Sequence, residues 1–232
     1  MENNRTRRAT VGQGRSMWIL VGRVALEGDL TIPVDARGIV LFAHGSGSSR
    51  FSPRNQRVAV VLQKAGLGTF LIDLLTEREE AADIQGAQYR FNIGMLAERL
   101  IGTTDWLTNN TETRKLSIGF FGASTGAAAA LVAAAARPEA VHAIVSRGGR
   151  PDLAGPVLGA IRAPTLLIVG GNDPDVEALN REALEKLQVE KEMVIIPGAT
   201  HLFEEPGALE AVAKLAANWF GRYLGNQATE QT

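Results

Sequence analysis

Short apolar runs alternate with amphipathic stretches along the chain, and this alternation predicts its secondary structure. The run GIVLFA (Gly38–Ala43) is apolar at every position, as expected of a strand buried on both faces of a sheet. Further strands are predicted at GTFLID, LSIGFF, AVHAIVS, PTLLIVG and EMVIIPG. Apolar residues at helical spacing predict helices over 53–65, 93–109, 125–136, 176–187 and 206–223, with a short helical turn near 152–161.

The order of these elements predicts an α/β fold. Strands that alternate with helices favour a mostly parallel sheet covered by helices on both faces. Two earlier runs, WILVGRVALEG and DLTIP, predict an antiparallel pair at a sheet edge, and LLTEREEAADIQGAQYR (74–90) is predicted to be the longest irregular segment. We expect one domain over 16–224, a flexible arm over 1–15 and a flexible tail over 225–232.

Composition excludes several classes of partner and chemistry. The chain has 232 residues, of which 45% are hydrophobic and 21% charged, as in ordinary soluble proteins. Its net charge of −1 gives no indication of nucleic acid or an anionic membrane as partner. No cysteine is present, which removes disulfides and thiolate nucleophiles and is compatible with a reducing compartment. With no apolar stretch typical of a signal peptide or a membrane span, we expect a cytoplasmic protein.

The first candidate for chemistry is Ser124, in the pentapeptide GASTG. A G-x-S-x-G sequence carries a catalytic serine when it joins a strand to a helix, because the sharp turn exposes the hydroxyl. The strained backbone of such a turn leaves no room for bulky neighbours, which Gly122 and Gly126 satisfy. The run LSIGFF precedes the serine and an alanine-rich helix follows it. The alternative is a plain turn between strand and helix.

A serine nucleophile needs a base and an acid, and chain order selects them. Of the three histidines, His142 lies inside a strand, where a locally hydrogen-bonded core residue is expected. His44 and His201 both follow strand ends, where sites in α/β sheets gather. Only His201 comes after the serine, as the order Ser, acid, His requires. Asp173 and Asp175 follow the intervening strand, and we favour Asp173 because it is nearer the strand.

The loop HGSGSSR (44–50) is expected to complete the site. The oxyanion of the tetrahedral intermediate needs two backbone N–H donors, which we assign to Thr125 at the start of its helix and to Ser46, with Gly47 as second choice. His44, Gly45, Gly47, Arg50 and Arg147 are candidate substrate-binding residues. The loop also begins like a dinucleotide-binding G-x-G-x-x-G, but Arg50 replaces the third glycine.

Four arginines, Arg50, Arg54, Arg147 and Arg150, follow strand ends and are candidates to bind an anionic substrate group, Arg50 most of all. The alternative is that they pair with acids such as Asp73, Asp152 or Glu204. The polar segment 74–90 is the one candidate cover besides the short connection 147–164, and neither is long or apolar enough for a lipase-like lid. We therefore expect an open site for small, soluble, short-acyl esters.

Together these stretches resemble the dienelactone hydrolase-like group of α/β-hydrolases. The resemblance extends from Val21 to Tyr223 and rests on LEGDLTIP, VLFAHGSGSSRFSPRN, GFFGASTGAAAALVAAAARP, SRGGRPDLAG, PTLLIVGGNDPDV and IPGATHLFEEPGAL. It implies the α/β-hydrolase fold, with an eight-stranded sheet and no cap domain, and it implies Ser124, Asp173 and His201 as nucleophile, acid and base. Typical members use a cysteine nucleophile, so the serine here points to ordinary esters.

The sequence thus predicts a serine hydrolase of small carboxylic esters that needs neither metal nor organic cofactor. A thioesterase, another acyl hydrolase or an acyltransferase would share the triad. A binding protein on the same fold is the alternative of a different class. Neither nucleic acid nor membrane is an expected partner, and the sequence does not indicate the oligomeric state.

Overall fold

The computed structural model describes residues 14–86 and 88–225, which form an α/β sandwich. The strands are β1 Arg15–Val21, β2 Val24–Thr31, β3 Gly38–Ala43, β4 Gly68–Ile72, β5 Ser117–Ala123, β6 Val141–Arg147, β7 Thr165–Gly170 and β8 Lys191–Ile196. The helices are α1 Pro53–Lys64, α2 Glu77–Gly86, α3 Ile93–Asn109, α4 Thr125–Ala136, α5 Pro174–Lys186 and α6 Ala208–Tyr223. A 3₁₀ helix, Pro151–Ala160, lies between β6 and β7.

The strands form one mostly parallel sheet in the order β1-β2-β4-β3-β5-β6-β7-β8. Strand β2 is antiparallel to both of its neighbours, β1 and β4, so that β1 and β2 form the predicted antiparallel pair at the edge, and the strands β3 to β8 are mutually parallel. The predicted boundary between β1 and β2 was wrong. The chain turns at Gly22, whose φ of +59° suits glycine, so that 24–31 form a single strand.

The core lies on both faces of the sheet, because successive side chains of a strand point to opposite sides. In β3, Ile39 and Leu41 pack with α3 and α4, whereas Val40 and Phe42 pack with α1 and α6. All four side chains are essentially inaccessible to solvent. Each contributes about 1.5–3 kcal/mol of hydrophobic stabilisation, which explains why the central strands are apolar at every position.

Helix α4 is buried on nearly all sides, which explains why its sequence is apolar all round. The small alanines let it lie close to the sheet. A Cβ atom at Gly122 would be only 2.4 Å from Cα of Ala127, so both residues must be small for the helix to begin where it does. The N-terminus of α4 is thereby fixed at the carboxyl ends of β3 and β5.

The segment predicted to be irregular contains helix α2. Its start is a reciprocal capping pair: Thr76 N–H donates to Glu79 Oε2 (2.8 Å) and Glu79 N–H donates to Thr76 Oγ1 (3.3 Å). Acidic residues in the first turn add a favourable interaction with the helix dipole. The prediction failed because most of this helix is polar and exposed, and so it lacks an apolar stripe.

The chain ends follow the domain prediction only in part. Arg15 was placed in the arm but begins β1, where it pairs with Leu30 across the sheet and with Glu112 through its side chain. The rest of the predicted arm up to residue 13, and the tail from 226, lie outside the described residues.

Between β6 and β7 the described chain holds the 3₁₀ helix and no separate cap. No helix in the ranges 14–86 and 88–225 is long and apolar enough to cross a bilayer.

Candidate active site

Ser124 occupies a strained turn between β5 and α4. Its φ of +50° and ψ of −124° are rare for a residue with a side chain and cost roughly 1–3 kcal/mol. Backbone hydrogen bonds hold this conformation: Ser124 N–H donates to the Arg147 carbonyl (3.3 Å), and its own carbonyl accepts from Ala127 (3.1 Å) and Arg150 (3.2 Å). The side chain is half-buried and faces a cavity at the carboxyl ends of the strands.

The glycines on either side of Ser124 are required by the packing around the turn. A Cβ atom at Gly126 would lie 2.3 Å from the carbonyl oxygens of both Ala43 and His44. Gly45, in the loop after β3, approaches from the other side, where a Cβ atom would be 3.1 Å from Cβ of Ser124. The turn is therefore enclosed between two chain segments that allow no side chain.

His201 and Asp173, the predicted base and acid, form a pair near Ser124. Asp173 precedes α5 just after β7, and His201 lies on the loop after β8. Nδ1 of His201 and Oδ2 of Asp173 are 2.7 Å apart, which leaves Nε2 free to face the cavity that Ser124 also lines. Asp175 is exposed in the first turn of α5. Among the described residues no hydrogen bond joins the Ser124 hydroxyl to His201; such bonds are often long in enzymes without substrate.

The other two histidines have structural roles. Leu74 N–H donates to Nε2 of His44 (2.9 Å), so Nδ1 carries the proton and donates to the Gly45 carbonyl (3.0 Å). Burial lowers the pKa of His44, which keeps the ring neutral and makes it a support for the loop after β3. His142 is near the opposite end of β6, where its Nδ1 lies 2.9 Å from the Ala140 carbonyl oxygen.

The two predicted oxyanion donors lie side by side. Thr125 is the first residue of α4, where a backbone N–H has no acceptor within the helix. Ser46 N–H donates to Thr125 Oγ1 at 3.0 Å, so this donor is engaged by the neighbouring hydroxyl. Gly47, the second choice, has a φ of +69° in the turn closed by a hydrogen bond from Ser48 N–H to the Gly45 carbonyl (3.2 Å).

Three of the four candidate arginines are paired with acids. Arg50 binds Asp73, contacts Glu27 at 2.8 Å and has Asp29 at 3.7 Å, which agrees with the alternative interpretation that it pairs with acids. Burial alone would lower the pKa of Arg50, but these carboxylates together raise it. The other ion pairs are Arg54–Glu204 (2.9 Å) and Arg150–Asp152 (2.7 Å).

Arg147 differs from the other three. Only 8% of its surface is exposed, and its Nε and Nη1 atoms have no hydrogen-bond partner among the described residues. Its guanidinium lies 5.9 Å from the ring centroid of Phe203. Burial and the nearby charge of Arg54 lower the pKa of Arg147 to about 10, so the side chain remains a cation at neutral pH.

The site opens into two adjoining cavities, which share Gly45, Ser46 and Ser48. The smaller, of about 210 Å³, is the triad cavity and is lined by Ser124, His201, Arg54 and Arg147. The larger, of about 300 Å³, is the leucine cavity; its walls include Leu74, Leu75, Leu96 and Ile84, together with Glu80, Asp83 and Arg90. These leucines were not predicted from the sequence, although Leu74 and Leu75 directly follow β4, where site residues are expected.

The leucine cavity is covered by the segment that contains α2. Asp83 holds this segment together by accepting hydrogen bonds from Tyr89 N–H (2.7 Å), Arg90 N–H (3.3 Å) and the Arg90 side chain. An ion pair of 2.7 Å between Arg99 and Glu79 joins it to α3.

Across residues 14–86 and 88–225, no group of three or more acidic or histidine side chains is arranged to hold a metal ion.

Known proteins share the fold of this chain. The model of the dienelactone hydrolase family matches residues 26–224. A dienelactone hydrolase from Anabaena variabilis, known from its crystal structure, is 63% identical, with a TM-score of 0.90 over 91% of this chain and 98% of that chain. A serine hydrolase without a lid from Xanthomonas campestris, 18% identical over 91% of this chain and 95% of its own, has a TM-score of 0.72 and shares the fold.

One curated relative carries a different name. A Mycobacterium tuberculosis protein with the provisional name of a phosphoribosyl transferase is 55% identical over 206 residues, which are 89% of this chain and 46% of the relative. The chain thus spans about half the length of these curated relatives.

Proposed function

This chain belongs to the dienelactone hydrolase family of α/β-hydrolases, and from that premise we propose that it is a serine hydrolase that cleaves small, soluble carboxylic esters. The observation that supports the proposal most is the position of Ser124. A non-glycine residue at φ +50° is held by close packing at the wall of a cavity that is also lined by His201, the partner of Asp173. Strained backbone conformations of this kind cluster at active sites.

In the proposed first step, Ser124 Oγ attacks the ester carbonyl while Nε2 of His201 takes the hydroxyl proton. The 2.7 Å contact with Asp173 keeps the proton of the neutral ring on Nδ1, and the carboxylate stabilises the imidazolium that forms. His201 then protonates the departing alcohol. Water, activated by the same nitrogen, attacks the acyl-enzyme and releases the acid and the free serine.

We assign stabilisation of the oxyanion to the N–H groups of Thr125 and Ser46. The Thr125 donor is also at the positive end of the α4 dipole, which favours the developing charge. The Ser46 N–H must share or exchange its bond with Thr125 Oγ1 to reach the oxyanion. Rotation of the Thr125 side chain about χ1 withdraws Oγ1 and frees this N–H for the oxyanion.

Two features support small substrates. The cavities measure about 210 and 300 Å³, and the cover over the larger one is a polar helix whose buried residue is Asp83. A long acyl chain would find only a short apolar wall there, so activity should fall as acyl length increases.

The proposal is tested with the Ser124→Ala variant on p-nitrophenyl acetate. Removal of the nucleophile is expected to lower kcat by roughly 10⁴–10⁶-fold. The native enzyme should release a burst of nitrophenol equal to its active sites and lose activity to a serine-directed phosphonate. Turnover close to native in Ser124→Ala would contradict the assignment. A panel of matched esters, thioesters and amides would establish which acyl bond is preferred.

A further inference from the structure

The segment at the end of β6, residues 147–150, is here named the bridge segment. It holds the backbone of Ser124 from both sides, because Ser124 N–H donates to the Arg147 carbonyl (3.3 Å) and Arg150 N–H donates to the Ser124 carbonyl (3.2 Å). These two bonds flank the residue at which the backbone is strained. A displacement of the bridge segment therefore also displaces Ser124.

Two glycines place the bridge segment between neighbours that leave no space for a side chain. A Cβ atom at Gly148 would lie 3.2 Å from the carbonyl oxygen of His201 and 3.5 Å from its Cε1. A Cβ atom at Gly149 would overlap Ser146 Oγ and lie 2.7 Å from Cβ of Ala127 in α4. The bridge segment is thus packed against the proposed base as well as bonded to the proposed nucleophile.

Asn180, on α5, holds the bridge segment from a third direction. Its Nδ2 donates to the Gly149 carbonyl (2.9 Å) and, within the helix, to the Val176 carbonyl (2.8 Å). The whole residue is buried. Because α5 begins directly after Asp173, the helix that follows the proposed acid also holds the segment that contacts the nucleophile and the base.

Stability alone does not explain an amide at position 180. Oδ1 of Asn180 is buried and has no hydrogen-bond partner among the described residues. A buried polar atom without a partner is unfavourable, and an apolar side chain at this position would avoid that cost. What the amide supplies is a bond to an element outside its own helix, namely the bond to Gly149.

We infer that Asn180 is a positioning residue for the proposed reaction: through Gly149 it fixes the bridge segment, and the bridge segment aligns Ser124 with His201. This inference rests on the proposed function of Ser124. Asn180 lines neither of the two cavities, so it acts on the geometry of the attack rather than on the substrate. Such support matters because a misplacement of reacting groups by about 1 Å can lower the rate roughly 100-fold.

The test uses two variants that both lack the amide, Asn180→Ala and Asn180→Leu. They differ in packing, because alanine leaves a void that leucine fills, so their free energies of unfolding should differ. Stopped-flow measurement of the nitrophenol burst from p-nitrophenyl acetate gives the rate constant of acylation and the dissociation constant of the ester. In both variants the acylation rate constant should fall about 30-fold, and the dissociation constant should stay within about twofold of native.

The matched control is Gln63→Met, which removes another buried amide that joins a helix to the sheet. Gln63 Nε2 donates to Thr69 Oγ1 (2.8 Å) near the start of β4, at the end of the sheet opposite to the site. This variant should keep acylation within about twofold of native. Urea unfolding shows how much stability each variant loses. If acylation follows stability rather than the presence of the amide, or if Gln63→Met is slowed as much as Asn180→Ala, the inference is overturned.

Hydrogen exchange measured by NMR separates this inference from the proposed function. The Arg150 N–H, which donates to the Ser124 carbonyl, should exchange about tenfold faster in Asn180→Ala than in the native protein, relative to the amides of β3, and at an unchanged rate in Gln63→Met. Faster exchange in a protein that cleaves no ester would support the role of Asn180 in holding the turn and remove the esterase proposal. Native exchange at Arg150 in Asn180→Ala overturns the inference, even where Ser124→Ala has lost activity as expected.

Discussion

At the scale of single residues, chain order and strand ends were sufficient to select Ser124, His201 and Asp173 as candidates. In the structure, Ser124 and His201 line one cavity, and Oδ2 of Asp173 lies 2.7 Å from Nδ1 of His201. Chain order and strand ends could not predict which of the candidate arginines pair with acids. Whether each is paired depends on contacts between residues far apart in sequence, such as Arg50 with Asp73 and Arg54 with Glu204. Sequence gives the charge of these residues but not their neighbours.

The two acids after β7 lead to a prediction at this scale. Asp173→Asn should lower kcat about 10⁴-fold, because an amide favours the wrong tautomer of His201. Asp175→Asn, which alters an exposed carboxylate two positions later, should stay within about twofold of native, as surface substitutions usually do. Both are measured as kcat on p-nitrophenyl acetate at pH 8. Equal losses in the two variants would mean that the 2.7 Å contact has no catalytic role.

At the scale of elements, the helices rich in apolar residues were predicted well. Helix α3 matches its predicted bounds, 93–109, and α4 matches 125–136. Helix α2 was missed because the apolar pattern was the criterion, although Thr76 and Glu79 have the spacing of a capping pair. Local capping, rather than burial, determines where this helix begins.

The close seating of α4 gives a prediction about stability. Gly126→Ala should destabilise the protein by about 3 kcal/mol, because its Cβ would overlap the carbonyl oxygens of Ala43 and His44. Gly221→Ala, within α6, is the control: a Cβ atom there meets nothing within 4 Å, and the better helix propensity should add up to about 1 kcal/mol. Urea unfolding measures both, and similar midpoints for the two variants would contradict this account of the turn.

At the scale of the whole molecule, Arg50 joins parts of the fold that the sequence could not connect. It links the loop after β3 to Glu27 and Asp29 on β2 and to Asp73 beyond β4. The general architecture was predictable from buried strands in alternation with helices. The antiparallel edge was predicted without its boundary, because a turn at Gly22 interrupts an otherwise continuous apolar pattern.

Removal of this link should be costly. Arg50→Met leaves three neighbouring carboxylates without their cation, and we expect a loss of about 3 kcal/mol at pH 7. The loss should shrink toward pH 4, because protonation of the carboxylates relieves their repulsion. Urea midpoints at both pH values provide the measurement. The control is Arg162→Met, which removes the arginine of an exposed pair with Glu139 and should change the free energy of unfolding by less than about 1 kcal/mol. A loss that does not depend on pH would show that Arg50 acts through packing alone.

The cover over the leucine cavity owes most of its structure to contacts within itself. Its capping pair and its Asp83–Arg90 clasp both fall within residues 76–90, and the ion pair of Glu79 with Arg99 joins it to α3. Because these contacts are mostly local, we expect that the segment tolerates changes in length and chemistry with little effect on the sheet that positions Ser124. The substrate range could then change during evolution independently of the proposed catalytic residues.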